Sequence, residues 1–451
     1  MSTPRKTHIA WKTPWWLAAV LVAAAGCEEK TPQPAADAGK PKPATQASVT
    51  LRVAVTEDKA LAEAIRRLRG EWAELSGGEL VVQDGSADDR SAESPSIDLV
   101  IFPSRRLGEL CEAGRLRPIR DRVLRSDQLN LADYFPAVRE RLMVYGERVM
   151  ALPLGCVVPA MVSDEVEPAP RTWSDLQSRS VGIDGGGKLA RAYLFLAAAA
   201  SGGSHPSRKA WLLEPDTMKP RLSEPPFVRV LAAGVAQSTR RGERRGEAQI
   251  VWPTRDPDGP PPLSGNARVT PLPGATEVYN PVAGQFESVD EGVRRVPLLA
   301  TSGRLVGVTT SSRNAASAFR LAAWLASPQN SRQLARAGAS VASARVSLAR
   351  QPDDWTGCGD ASLGAQFSAA LAEALGSRRA VLVPRIVGVD RYLESLQGQI
   401  GRALTAELSP EEALAAAAAD WERITDEIGR DRQRRAYRRH LGLEPYEPAV
   451  R

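Results

Sequence analysis

The chain has 451 residues, 43% of them hydrophobic and 25% charged, with a formal net charge of +6 and four cysteines. That length can bury a large core and suits two lobes. Without residues 1–26, which carry three basic residues and no acidic one, 425 residues remain at a charge of +3, too near neutral for a nucleic-acid protein.

Arg5, Lys6 and Lys12 precede an apolar stretch, Trp15 to Gly26. It is too short to cross about 30 Å of hydrocarbon as a helix. A basic start, a brief apolar core and small residues ahead of Cys27 are the marks of an export signal. The run Leu21-Val22-Ala23-Ala24-Ala25-Gly26-Cys27 also resembles the bacterial lipobox, which implies cleavage before Cys27 and lipid on its thiol. The alternative is an ordinary signal with a coincidental cysteine. Residues 28–48, rich in Pro, Ala and Lys and nearly empty of large apolar groups, predict a flexible tether. No later segment approaches a spanning helix. With Cys27 set aside, Cys111, Cys156 and Cys358 allow at most one internal bridge, and spacing does not choose the pair.

Order is expected from Leu51-Arg52-Val53-Ala54-Val55, a β-branched run. Leu61, Ile65, Leu68, Trp72 and Leu75 then form one helical stripe, which Gly77-Gly78 stop. Strands over 79–82 and 97–102 complete a βαβ unit of a parallel sheet. A helix over 104–113 ends before Gly114, and strands are expected over 150–154 and 157–162. Thr172-Trp173-Ser174-Asp175 opens a helix with a capping pattern. The strand 180–183 runs through Gly185-Gly186-Gly187 into a helix over 189–200. Strands over 248–252 and 305–309 and a helix over 315–326 follow, and beyond Asn330 the chain reads as mostly helical. Ser409-Pro410-Glu411-Glu412 is a strong helix start.

Several segments, in order, resemble the extracellular solute-binding proteins of ABC importers, the family that includes the sugar binders. Asp98-Leu99-Val100-Ile101-Phe102 with Arg117-Pro118-Ile119 is similar to its strand, helix and turn. Tyr145-Gly146 with Ala151-Leu152-Pro153-Leu154 looks like its "YG-x-x-x-ALPL" stretch, and Thr172-Trp173-Ser174-Asp175-Leu176 like its "TW-x-EL" helix start. Ser327-Pro328-Gln329-Asn330 and Pro410 to Trp421 resemble its late helices. The likeness implies an α/β, two-lobed, periplasmic-binding-protein-like fold of type II, with mainly parallel sheets flanked by helices and a helical C-terminal region. Lobe one would be 49–163 plus 280–330 and lobe two 164–279 plus 331–440, with 441–451 as a tail. The family's Tyr-Asn pair after "ALPL" is replaced here by Pro159-Ala160-Met161, which weakens the case for a typical sugar.

Parallel sheets bind ligands outside the carboxyl ends of their strands. That rule and the resemblance select Glu57, Phe102, Leu154, Gly185, Gly186, Trp252, Arg255, Tyr279 and Trp355 as ligand-binding candidates. Trp252 and Trp355 are the preferred stacking faces because neither lies in a helical stripe, whereas Trp72, Trp324 and Trp421 fit helix cores. For each candidate a plain core or surface role stays open. Gly182 to Leu189 nearly matches a phosphate-cradling loop, but Leu189 stands where a magnesium-binding hydroxyl is needed. Three histidines, no HExxH, no Cys-x-x-Cys and no Gly-x-Ser-x-Gly argue against an enzyme, a metal or a cofactor. The resemblance thus implies a monomer that is lipid-anchored outside the cytoplasm. It would capture a sugar or oligosaccharide for an ABC permease and bind no nucleic acid. A sensor or a structural envelope lipoprotein on the same fold is the alternative. The runs Arg240 to Arg245 and Arg430 to His440 read as solvated faces, or as contacts to anionic headgroups or an acidic partner.

Overall fold

A computed structural model of the chain describes residues 49–85, 96–164, 168–239, 247–253, 267–337, 343–358 and 360–447. Arg255, the Arg240 to Arg245 run, Cys27 and the tether lie outside them.

Local sequence sets most of the elements. Asp58 accepts from the Leu61 N–H and caps the helix Lys59–Arg67. The expected single helix is broken at Leu68 and resumes as Arg69–Ser76, ending on Gly77 in the left-handed region at φ 68°. That break turns Leu75, the last member of the stripe, out to solvent at 52% exposure. Thr172 and Ser409 both form reciprocal capping boxes. The first starts a 3-10 helix, Trp173–Ser178, and the second the helix Pro410–Ile428.

Two sheets organise the chain. One runs Glu79–Asp84, Thr50–Val55, Leu99–Pro103, Arg304–Val308 and Leu152–Gly155 in spatial order. The other runs Ala267–Pro271, Ala160–Asp164, Glu247–Val251 and Ser180–Asp184. Both are mixed, more so than strand–helix–strand spacing predicts: Arg304–Val308 is antiparallel to both its neighbours, and Ala160–Asp164 to both of its own. In the first sheet the antiparallel strand is the one on which the chain returns, and in the second it is the one on which the chain enters. Trp72 and Trp324 meet at 5.3 Å in the core of the first half, and Tyr392 and Trp421 at 5.5 Å in the second. All four rings are buried, as the helical stripes predict for the three tryptophans.

The elements place the crossings differently from the sequence boundaries at 163, 280 and 330. Ala160–Asp164 already pairs in the second sheet, which puts the first crossing at 156–159. The hairpin Glu277–Asn280 and Gln285–Ser288 packs on the second half's helices, so the return lies beyond it. Pro328–Arg336 still packs on the first half.

The helix Arg430–His440 touches both halves. On the first, Arg439 reaches both Glu112 oxygens at 3.0 Å, and Tyr145 donates to the Ala436 carbonyl at 3.0 Å. Just beyond the helix, Tyr446 donates to the Cys111 carbonyl at 2.8 Å. On the second, Arg438 pairs with Asp216 at 2.6 Å, and Arg430 donates to the Thr217 carbonyl at 2.8 Å. Residues 48–451 form one compact unit.

Candidate functional site

The carboxyl ends of Thr50–Val55 and Leu99–Pro103 lead into Thr56-Glu57 and into the turn Ser104–Arg106. Glu57 sits in the left-handed region at φ 57°, a costly conformation for a residue with a side chain. Its carboxylate accepts from Arg105 at 2.9 Å and Arg106 at 3.3 Å, and its carbonyl accepts from Arg304 at 2.9 Å. Arg304 also lies 3.3 Å from Asp58.

From the other half, Asp390, in the first turn of the helix Val389–Leu404, accepts from Arg105 at 2.5 Å. Arg105 is thus held by one carboxylate from each half, with only 13% of its side chain exposed. Burial works against its charge, but the bond to Asp390 and the surrounding negative charge hold its pKa above the ordinary value. Tyr193 lies in the same field; burial pushes its hydroxyl up to about 12 while Arg105 pulls the other way. Lys188 pairs with Glu394, so the cation of the phosphate-loop look-alike is engaged within the second half, and Leu189 is buried.

Trp252 makes the second bridge. Gly185 and Gly186 adopt φ of 81° and 70°, and a Cβ on either would lie 3.0 Å from the Trp252 side chain. The indole, 5% exposed, folds onto the glycine turn and donates to Thr301 at 3.4 Å. Its face is covered, so it offers no open stacking platform. Phe102 and Leu154 are buried in the first sheet, Phe102 beneath the cavity described below.

Two other candidates are not brought to the gap. Tyr279 pairs with Phe286 at 5.4 Å in the hairpin near His205, at the far end of the helix Ala190–Gly203. Fourteen residues of helix make that about 20 Å from the Lys188 end. Trp355 is fully buried after the turn Pro352–Asp354, which packs on Ala361–Gly376 and Pro328–Arg336. Absence from a helical stripe says nothing about burial, and in this case it misled.

Beside the Arg105 bridge lies a cavity of about 340 Å³. Thr56, Val100 and the helix Leu107–Glu112 wall it on one side, and Val387, Gly388 and Arg391 on the other. A second cavity, about 490 Å³, lies where the crossings run, with Pro159, Val296, Leu298 and Arg379 in its wall. Among the described residues no group of three or more His, Cys, Asp or Glu is placed to hold a metal ion. Nor is any helix there long and apolar enough to cross a membrane. Cys111, Cys156 and Cys358 are free and buried; burial raises the thiol pKa of Cys111 and lifts that of Cys156 to about 12.

No protein-family model and no curated protein matches the chain. Solved structures do. MalE from Xanthomonas citri, a sugar-binding protein, aligns over 84% of this chain and 98% of its own at a TM-score of 0.62 and 16% identity. A solute-binding protein from Agrobacterium radiobacter K84 in complex with ribitol aligns over 83% and 98% at 0.59 and 17%. Maltose-bound T. maritima MalE3 aligns over 84% and 100% at 0.58 and 17%. The chain has the two-lobed fold of ABC-transporter solute-binding proteins. Those neighbours are binding proteins.

Proposed function

We propose that this chain belongs with the solute-binding proteins, works outside the cytoplasm as a monomer tethered through lipid on Cys27, and delivers a small solute to an ABC permease. By likeness to its neighbours the solute is of sugar or polyol size. One observation carries the reading: side-chain pairs close a gap at the strand ends, and beside it a ligand-sized cavity lies between the first half and the C-terminal helices. A bound solute favours the closed state over an open one by touching both halves. The tether and lipid raise the effective concentration of the encounter with the permease.

Thermal unfolding of the protein across a panel of sugars, polyols and sugar acids tests this. A ligand at 100 times its Kd adds about 2.7 kcal/mol of stability, whereas no shift with any member contradicts the reading. Radiolabelled palmitate should enter the wild-type chain and not Cys27→Ser. A second reading, a sensor or accessory lipoprotein without a transport role, is favoured by the Arg105–Asp390 and Trp252–Thr301 pairs, which close the gap with the protein's own groups. Stimulation of a permease encoded beside it favours transport; a response from a neighbouring sensor kinase favours signalling.

A further inference from the structure

We infer that the solute is an oxyanion of sugar size, a sugar acid or sugar phosphate, seated in the 340 Å³ cavity between the halves; this rests on the solute-binding reading above. Four arginines line that cavity, Arg106, Arg115, Arg391 and Arg432, against a single carboxylate, Glu109. A guanidinium only donates hydrogen bonds. An oxyanion only accepts, and its planar or tetrahedral oxygens match the guanidinium fork. No aromatic face competes for a neutral ring: Phe102, the cavity's aromatic, is 1% exposed, and Trp252, Tyr279 and Trp355 are absent from the wall.

The cations are also placed in advance. Arg106 is held by Glu109 at 2.6 Å and Glu57 at 3.3 Å, and its buried Nε has no hydrogen-bond partner. Arg391 is anchored by Glu427. Arg432 is exposed, with no ion pair among the described residues. The 16-residue helix Val389–Leu404 opens at Gly388, in the cavity wall, without a side-chain cap, and the Asp390 of its first turn is taken up by Arg105. Arg106 and Arg115 belong to the first half, while Arg391 and Arg432 come from helices beyond the last crossing. An anion shared by Arg432 and the anchored Arg106 and Arg391 touches both halves, which favours the closed state.

Isothermal titration of the full chain with glucuronate, galacturonate, gluconate and glucose 6-phosphate, against glucose, galactose, maltose and ribitol, decides the matter. The expected result is saturable binding of at least one acid, weakened by added salt and at least tenfold by Arg432→Glu, with no binding of its neutral counterpart. The uronates and the phosphate separate the two oxyanion chemistries. Arg350→Glu, the same charge change at an exposed residue outside the cavity, should leave affinity unchanged. Binding of neutral sugars alone, or acid binding indifferent to Arg432→Glu, overturns the inference and leaves the solute-binding reading standing. Binding of no member overturns both.

Discussion

The two halves meet in two places of opposite character. At the strand ends they are joined by two polar contacts: Arg105 to Asp390, whose carboxylate side chain is 33% exposed, and the buried Trp252 to Thr301 at 3.4 Å. Along the C-terminal helix they are joined by more contacts, largely buried on the first half and, on the second, by the buried Tyr437 hydroxyl beside the exposed Arg438–Asp216 pair. Arg439 and Glu112 there have 17% and 7% of their side chains exposed, and the Tyr145 and Tyr437 rings are buried. A ligand can replace contacts of the first kind, because water and solute oxygens substitute for them. Contacts of the second kind have no substitute, so a hinge motion must carry the C-terminal helix along or break it away.

The largest expected effect comes from Gly108, where the helix Leu107–Glu112 presses on the segment leading to the helix Val389–Leu404. A Cβ there would fall 1.7 Å from the Arg385 carbonyl oxygen, which is backbone and cannot step aside. Gly108→Ala should cost about 3 kcal/mol or more in urea unfolding. Gly70→Ala, with nothing within 4 Å, should instead stabilise by about 0.5–1 kcal/mol. Next, Arg439→Ala strips Glu112 of its cation and should cost about 2–3 kcal/mol in the same measurement.

Acid should attack the same seam. Burial, aided by the Arg385 charge beside it, holds the His440 pKa well below its ordinary value, so the folded protein keeps this ring neutral. The unfolded chain then binds more protons once the pH falls below about 6.5. Stability is therefore fully present above that value and declines as pH drops, by up to about 1.4 kcal/mol per unit until the folded pKa is reached. His440→Gln should flatten that slope in melting curves taken between pH 7 and 5. The smallest loss is expected at the gap: Asp390→Asn should cost about 0.5–1 kcal/mol, because the pair is partly solvated. Its signature is a larger radius of gyration in small-angle scattering, which Arg439→Ala at the other seam should not produce alone.

Much of the frame was legible in the sequence because it is local. Ser409 with Glu412, Thr172 with Asp175 and Gly77 act within four residues of themselves, and each does what its type predicts. The crossings were not legible; only the family likeness suggested them, since no periodicity marks where a chain changes lobes. Glu57, Gly185, Gly186 and Trp252 were selected because strand ends are where ligands bind, and the fold sets them at the ends of their strands. Arg105, Arg304 and Asp390 were missed. Asp390 lies 285 residues from Arg105, and a pairing of that span is a tertiary fact. A signal did exist: Arg105-Arg106 stands one residue past a strand end, and Arg304 opens a strand otherwise apolar. Read alone, each looked like a solvated charge.

Distance between the halves is the most direct test. Leu75 in the first half and Val282 on the second-half hairpin are 52% and 85% exposed, and serve as label sites after Leu75→Cys and Val282→Cys. Double electron–electron resonance should give a broad or two-peaked distance distribution for the free protein. Saturating glucuronate, or whichever panel member binds, should collapse it to one short distance. A single distance, unchanged by every member of the panel, would contradict the account.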